Sequence, residues 1–285
     1  MPHTTADPAG IYYETRGDPS ARPLVLIEGT GAQLIGWRDD FVDLLVDRGF
    51  FVIRLDNRDV GLSPMTAAPD VADAGYSLAD MADDVFAVLD ALGLASAHVV
   101  GQSMGGAIAQ HMAIARPDRV KSLVLFYTAP AVDPQFVTDA VLSAQSDADA
   151  RPAPTTLDEV IAQLLERARS GSAPGSVFDE AGARDLIVRS LERSPRLDGV
   201  TRQAAAMFRS GDWREALGAI AVPTAIIHGR DDALVRIDAS FELARRIADA
   251  ELHLYPHMGH EILRDRWVDF ANVIDGTAGR YTGPS

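Results

Sequence analysis

The chain has 285 residues, 47% of them hydrophobic and 24% charged, with a formal net charge of −15 and a pI near 4.8. This balance suits one large globular α/β domain or a core carrying an insertion, and the acidity argues against nucleic acid and anionic membrane surfaces as partners, since both call for basic patches. There is no cysteine, which excludes disulfides, thiol nucleophiles and cysteine metal sites; with no apolar signal core near the start and no run approaching about 18 apolar residues, the default expectation is a cytoplasmic protein.

Strands and helices alternate along the chain. Residues 10–16 read as a short strand, and Leu24-Val25-Leu26-Ile27 is a continuous apolar run suited to a strand buried on both faces. Residues 40–47 suit a helix closed by Gly49, and 50–55 form another buried strand before a polar loop at 56–64. The pattern at 78–92 predicts a helix with Ser77 as N-cap and Met81, Val85, Val88, Leu89 and Leu92 as its apolar stripe. Strands follow at 98–101, 122–126, 224–228 and 251–255, with a helix at 241–248 between the last two. Such alternation implies a parallel, doubly wound sheet with short crossovers. It breaks between 131 and 212, where Pro134, Pro152, Pro154, Pro174 and Pro195 accompany helical patterns at 157–168 and 183–191. That stretch reads as a helical cap above the carboxyl edge of a core formed by 1–130 and 213–285, and a pocket belongs at the junction. Residues 276–285 read as a polar, Gly-rich tail.

Gly101-Gln102-Ser103-Met104-Gly105 follows the strand at 98–101 directly and opens a helical pattern through Ala107, Ile108, Met112 and Ala113. A strand turning sharply into a helix has no room for side chains beside the serine, which explains the flanking glycines and leaves the hydroxyl exposed at the apex. The plainer reading of Ser103 is a helix N-cap. A serine hydroxyl is a poor nucleophile at neutral pH, so the stronger reading needs a base and an orienting acid. Two neighbouring carboxylates, Asp231 and Asp232, follow the strand at 224–228, and two histidines, His257 and His260, follow the last strand. The remaining histidines, His3, His98, His111, His228 and His253, read as structural; His253 and His257 are four apart but fall in a strand and a loop rather than on the helix of a zinc site, so neither metal nor cofactor is expected.

These three segments, in this order, resemble the serine α/β-hydrolase superfamily. The resemblance implies Ser103 as nucleophile, Asp232 as the acid (a strand-end Gly, two residues, then Asp) and His260 as the base of a Gly-His pair. It also implies an oxyanion hole made by the N–H groups of Met104 and Thr30. Many relatives carry His where this chain has Glu28, whose role is left between anchoring the loop and selecting a polar or cationic group. The loop at 56–63 resembles Asp-x-Arg-Gly-x-Gly-x-Ser with Asp59 in place of a glycine, a scaffold loop in which Arg58 takes no catalytic part. A closer similarity is to the aclacinomycin methylesterase-like branch, which also lacks that histidine and has a Gly-Trp pair, here Gly36-Trp37, followed by Asp39, Asp40 and Phe41. The resemblance implies an α/β-hydrolase fold with a helical cap and a small-molecule carboxylic ester as substrate, a polyketide methyl ester among the options, cleaved through an acyl-enzyme. Serine rather than aspartate at 103 argues against haloalkane dehalogenases and epoxide hydrolases. A cofactor-free perhydrolase, a carbon–carbon bond hydrolase, an acyltransferase and a non-catalytic ligand-binding member stay open as alternatives. Glu28, Trp37, Phe126 and Trp213 are the candidates for substrate contact, with core packing as the competing role for the aromatic three.

Overall fold

A computed structural model describes residues 10–66, 74–138 and 154–283. Seven strands form one sheet in the order β1-β3-β2-β4-β5-β6-β7. They are β1 Tyr13–Arg16, β2 Arg22–Ile27, β3 Phe50–Leu55, β4 Ala97–Gln102, β5 Val120–Phe126, β6 Thr224–Gly229 and β7 Glu251–Tyr255. β1 runs antiparallel to β3, and every other pairing is parallel.

The central strands, β2 to β6, carry largely unbroken apolar runs because both faces are covered, whereas the edge strands β1 and β7 are more polar and only partly buried. Val25, Ile27, Val99, Leu123 and Leu125 pack towards helices α2 (Leu78–Ala91) and α3 (Met104–Ala115), while Leu24, Leu26, Val100, Val124 and Phe126 pack towards α1 (Asp39–Val46) and α8 (Trp267–Gly279). Each fully buried aliphatic side chain contributes about 1.5–3 kcal/mol relative to exposure, so the two half-cores are the main stabilising force. Helix α2 begins as the sequence indicates: Ser77 and Asp80 form a capping box, and the Ser77 N–H donates to Asp80 Oδ2 at 2.8 Å.

Among the described residues three α-helices lie between β5 and β6: α4 (Leu157–Gly171), α5 (Glu180–Arg193) and α6 (Gly199–Arg209). The periodicity reveals the first two and misses α6. The buried residues of α6 include Arg202 and Gln203, so a search for apolar spacing finds no stripe. Arg202 pairs with Asp59 (Nε to Oδ1, 3.2 Å), and Gln203 Nε2 donates to the Arg58 carbonyl at 2.8 Å. Asp59 holds a left-handed φ of 71°, as suits a position where relatives have glycine, and its Oδ2 accepts the Tyr76 hydroxyl at 2.6 Å. Arg58 forms a bidentate pair with Asp84, with both distances 2.7 Å, as a scaffold residue should.

Helix α7 (Ile237–Arg246) joins β6 to β7 and starts four residues before the expected 241. The expected tail from 276 is corrected: α8 continues to Gly279 because Thr277 and Ala278 are buried against the sheet, and this packing outweighs the ~1 kcal/mol helix penalty of Gly276. Among the described residues no helix is long and apolar enough to cross a membrane.

Candidate active site

The turn from β4 into α3 places Ser103 at φ 53°, ψ −120°, a conformation a non-glycine residue keeps only at a cost of about 1–3 kcal/mol. Three backbone bonds hold it: the Ser103 N–H donates to the Phe126 carbonyl at 3.0 Å, and its own carbonyl accepts from Gly106 at 2.9 Å and from Ala107 at 3.2 Å. The flanking glycines are required by contact. A Cβ at Gly101 would lie 2.2 Å from the Gly105 carbonyl oxygen, and one at Gly105 would lie 2.3 Å from that of Ile27. Gly105→Ala is therefore expected to destabilise the protein by about 1–3 kcal/mol or more, read as a lowered melting temperature, because backbone must move to admit the methyl group.

The loop after β6 carries both candidate acids, and the structure separates them. Asp232 Oδ1 accepts the N–H groups of Leu234 and Val235 at 2.8 and 2.9 Å, and Oδ2 accepts His260 Nδ1–H at 2.8 Å. Asp231 instead accepts the His257 N–H at 2.9 Å, a loop contact. Because Nδ1 donates to the carboxylate, the lone pair of His260 is on Nε2. The ring rests against Tyr127, 4.4 Å between centroids, and the residue's backbone is fixed by its amide N–H donating to the Gly171 carbonyl at 2.6 Å. Behind Asp232 stands His228, fully buried. Its Nε2 faces the Val235 carbonyl at 3.1 Å and Asp232 Oδ2 at 3.4 Å, and its Nδ1 meets Ser240 Oγ at 2.6 Å. Burial lowers its pKa against the opposing pull of Asp232, so His228 is a neutral support for the acid.

On the far side of Ser103 the loop after β2 presents its backbone. The Gly29 N–H is taken by Glu28 Oε2 at 3.2 Å and that of Gly31 by Gln203 Oε1 at 2.7 Å, while the Thr30 N–H between them is bonded to no described residue. Met104 opens α3, so its N–H has no partner within the helix. Ser103, Gly29, Thr30 and His260 border a cleft of about 1340 Å³ whose opposite wall comes from α4 and α5.

Glu28 is 1% exposed. Its Oε2 also accepts Gln102 Nε2–H, and Gln102 Oε1 accepts the Tyr127 hydroxyl. Burial pushes the Glu28 carboxyl up to about 8, against the hydrogen bonds from Gly29 and Gln102 and the dipole of the nearby Trp37 amide. Trp37 borders the cleft but is a core residue, 1% exposed and stacked on Phe41 at 5.9 Å. Phe126 and Trp213, expected at the pocket, do not border it. Phe126 lies in the sheet core between Trp37, Tyr127 and Phe270, and Trp213 donates Nε1–H to Gln110 at 2.8 Å while resting on His111. Gln102, Tyr127 and His228 were missed from sequence. Gln102 sits inside the Gly-x-Ser-x-Gly motif, and Tyr127 directly follows β5 at the carboxyl edge, where sites of open α/β sheets form. His228 had no signal beyond its place at the end of β6.

A family model described as alpha/beta hydrolase fold matches residues 22–266, and the chain belongs to that family, which makes it a hydrolase by class. Among particular relatives, a Variovorax paradoxus (strain S110) protein named as a carbamate hydrolase, RutD, is 32% identical over 252 residues, covering 88% of this chain and 89% of that one. Rhodomycin D methylesterase DnrP of Streptomyces peucetius is 28% identical over 275 residues, covering 90% and 91%. A solved hydrolase from Pseudomonas aeruginosa PA01 superposes with a TM-score of 0.72 at 26% identity, covering 100% of this chain and 98% of that one.

Proposed function

We propose that this chain is a serine hydrolase of small carboxylic esters, with Ser103 as nucleophile, His260 as base and Asp232 as the acid that orients it. The observation that carries the reading is the strained Ser103 turn, which borders one cleft together with the Asp232-bound His260 and an uncommitted Thr30 N–H. In this scheme Ser103 Oγ attacks the ester carbonyl as His260 Nε2 takes its proton, and the N–H groups of Thr30 and Met104 receive the oxyanion. His260 then protonates the leaving alkoxide, and water, deprotonated by the same nitrogen, releases the acid. Methyl esters of polyketide-like molecules head the substrate list, because rhodomycin D methylesterase DnrP matches across 90% of this chain and Gly36-Trp37 resembles the aclacinomycin methylesterase-like branch.

A second reading, cleavage of a carbon–carbon bond in an acidic diketone, has one observation in its favour. Arg167 of α4 borders the cleft and forms no ion pair among the described residues, as would suit a substrate carboxylate. A relative at 29% identity over 262 residues, from Paraburkholderia xenovorans (strain LB400), carries the name 2-hydroxy-6-oxononadienedioate/2-hydroxy-6-oxononatrienedioate hydrolase. A fluorophosphonate probe, followed by peptide mass spectrometry, tests the shared nucleophile. Stoichiometric labelling of Ser103 is expected, and a folded protein left unlabelled would remove both readings. Turnover of methyl esters, carbamates and dienoate diketones in parallel then assigns the substrate class.

A further inference from the structure

We propose that Glu28 is a positioning residue for this reaction: one carboxyl oxygen ties the oxyanion loop to the strand that presents Ser103, and through Gln102 and Tyr127 it supports the ring of His260. The proposal rests on the reading of Ser103 and His260 given above. The chain of contacts is continuous. Glu28 Oε2 accepts from Gly29, the residue before Thr30, and from Gln102, the residue before Ser103; Gln102 accepts from Tyr127; and the Tyr127 ring lies 4.4 Å from that of His260. Three parts of the site that come from β2, β4 and the loop after β7 thus share one anchor.

The protonation state of that anchor matters. Glu28 Oε1 is buried and has no hydrogen-bond partner among the described residues, and Gly36 closes over it, since a Cβ there would lie 2.4 Å away. No cation among the described residues pairs with Glu28. The charged group nearest it is of the same sign, Asp56, itself paired with Arg193 at 2.7 Å, and the buried Tyr127 hydroxyl is the other titratable group coupled to it. With its carboxyl pushed up to about 8, Glu28 is protonated at pH 7, and Oε2, which takes both donors, is its acceptor oxygen. Ionisation would place a negative charge two residues from the Thr30 donor and oppose the oxyanion. The wild-type rate should therefore fall as pH rises through about 8.

The sign for stability runs the same way. A carboxyl whose pKa is raised on folding favours the folded state fully below its unfolded value and loses that contribution as pH rises towards the folded value. Glu28→Gln, fixed in the neutral form, should therefore melt higher than wild type at pH 8 and match it at pH 4.

The test uses the full chain, comparing wild type, Glu28→Gln, Glu28→Ala and Tyr127→Phe for Ser103 labelling rate and for aryl-ester kcat and KM from pH 6 to 10. Glu28→Gln is expected within about threefold of wild type at pH 7 and above it at pH 9, with the alkaline fall gone. Glu28→Ala should lose about 10²-fold in kcat with little change in KM, the cost of a misplaced site. Tyr127→Phe, which keeps the ring but cuts the link to Gln102, should lose about 10-fold in kcat by the same split, and it decides the matter if Glu28→Ala does not fold. Wild type and Glu28→Gln sharing one alkaline profile, or Glu28→Gln losing as much as Glu28→Ala, would overturn the proposal while leaving the nucleophile intact. A wild-type protein that is never labelled at Ser103 sinks the underlying reading, and this proposal with it.

Discussion

Ser103→Ala should cut kcat for a good ester substrate by about 10⁵–10⁶-fold and leave KM and the melting temperature near their wild-type values, as removal of a nucleophile does in serine hydrolases. The reason lies in what the hydroxyl does and does not hold together. The turn is fixed by backbone bonds to Phe126 and Gly106 and by the close glycine contacts, none of which passes through Oγ. Alanine meets the same left-handed φ of 53° as serine, so the strain carries over and the folded state changes little. Only the attacking atom is lost. Active-site titration with the fluorophosphonate should drop to background in parallel. Retention of even one-tenth of the wild-type turnover would remove Ser103 as nucleophile and mean that the cleft works by other groups.

Asp232→Asn carries the second largest effect, about 10⁴-fold in kcat, because an amide presents a donor or a weak acceptor to His260 Nδ1 and favours the wrong tautomer. The surroundings leave the amide no good orientation. Oδ1 already accepts two N–H groups at 2.8 and 2.9 Å, and Oδ2 is flanked by His260 and His228. The substituted side chain would have to point its NH₂ either at those two N–H groups or at two imidazoles. Asp231→Asn, by contrast, keeps an oxygen for the His257 N–H and should change kcat by no more than about threefold, as expected of an exposed loop contact. Measuring kcat for both variants on one ester checks the pair. A larger loss at Asp231 would reassign the acid.

The parts of this site legible in sequence were those where local steric demands repeat: a strand, two glycines around a serine, and a strand-end acid. The doubly wound sheet was legible because strands buried on both faces read as unbroken apolar runs, as at Leu24 to Ile27. The choice of Asp232 over Asp231 needed the family resemblance, since adjacent carboxylates look alike until the loop is folded. Glu28 could not be placed, because its partners Gln102 and Tyr127 are 74 and 99 positions away and meet it only through the order β2-β4-β5. Phe126 and Trp213 were misplaced for a general reason: large aromatics fill cores more often than they line clefts. Helix α6 was invisible because its inward face is charged.

That charged face makes the cap and the chemistry one mechanical unit. Gln203, on the same turn as Arg202, accepts the N–H of Gly31, the neighbour of Thr30, so α6 has a direct hold on the loop that would receive the oxyanion. Removing Arg202 would leave the buried Asp59 carboxylate without its cation, held only by the Tyr76 hydroxyl and the Thr66 N–H, whereas Arg202 keeps Asp198 if Asp59 is lost. For anyone recombining this protein with its relatives, the helices over the cleft are therefore not an interchangeable module: a graft that replaces α6 must bring its own glutamine, its own arginine and a matching residue at 59, or it will shift the loop proposed to receive the oxyanion while changing the pocket.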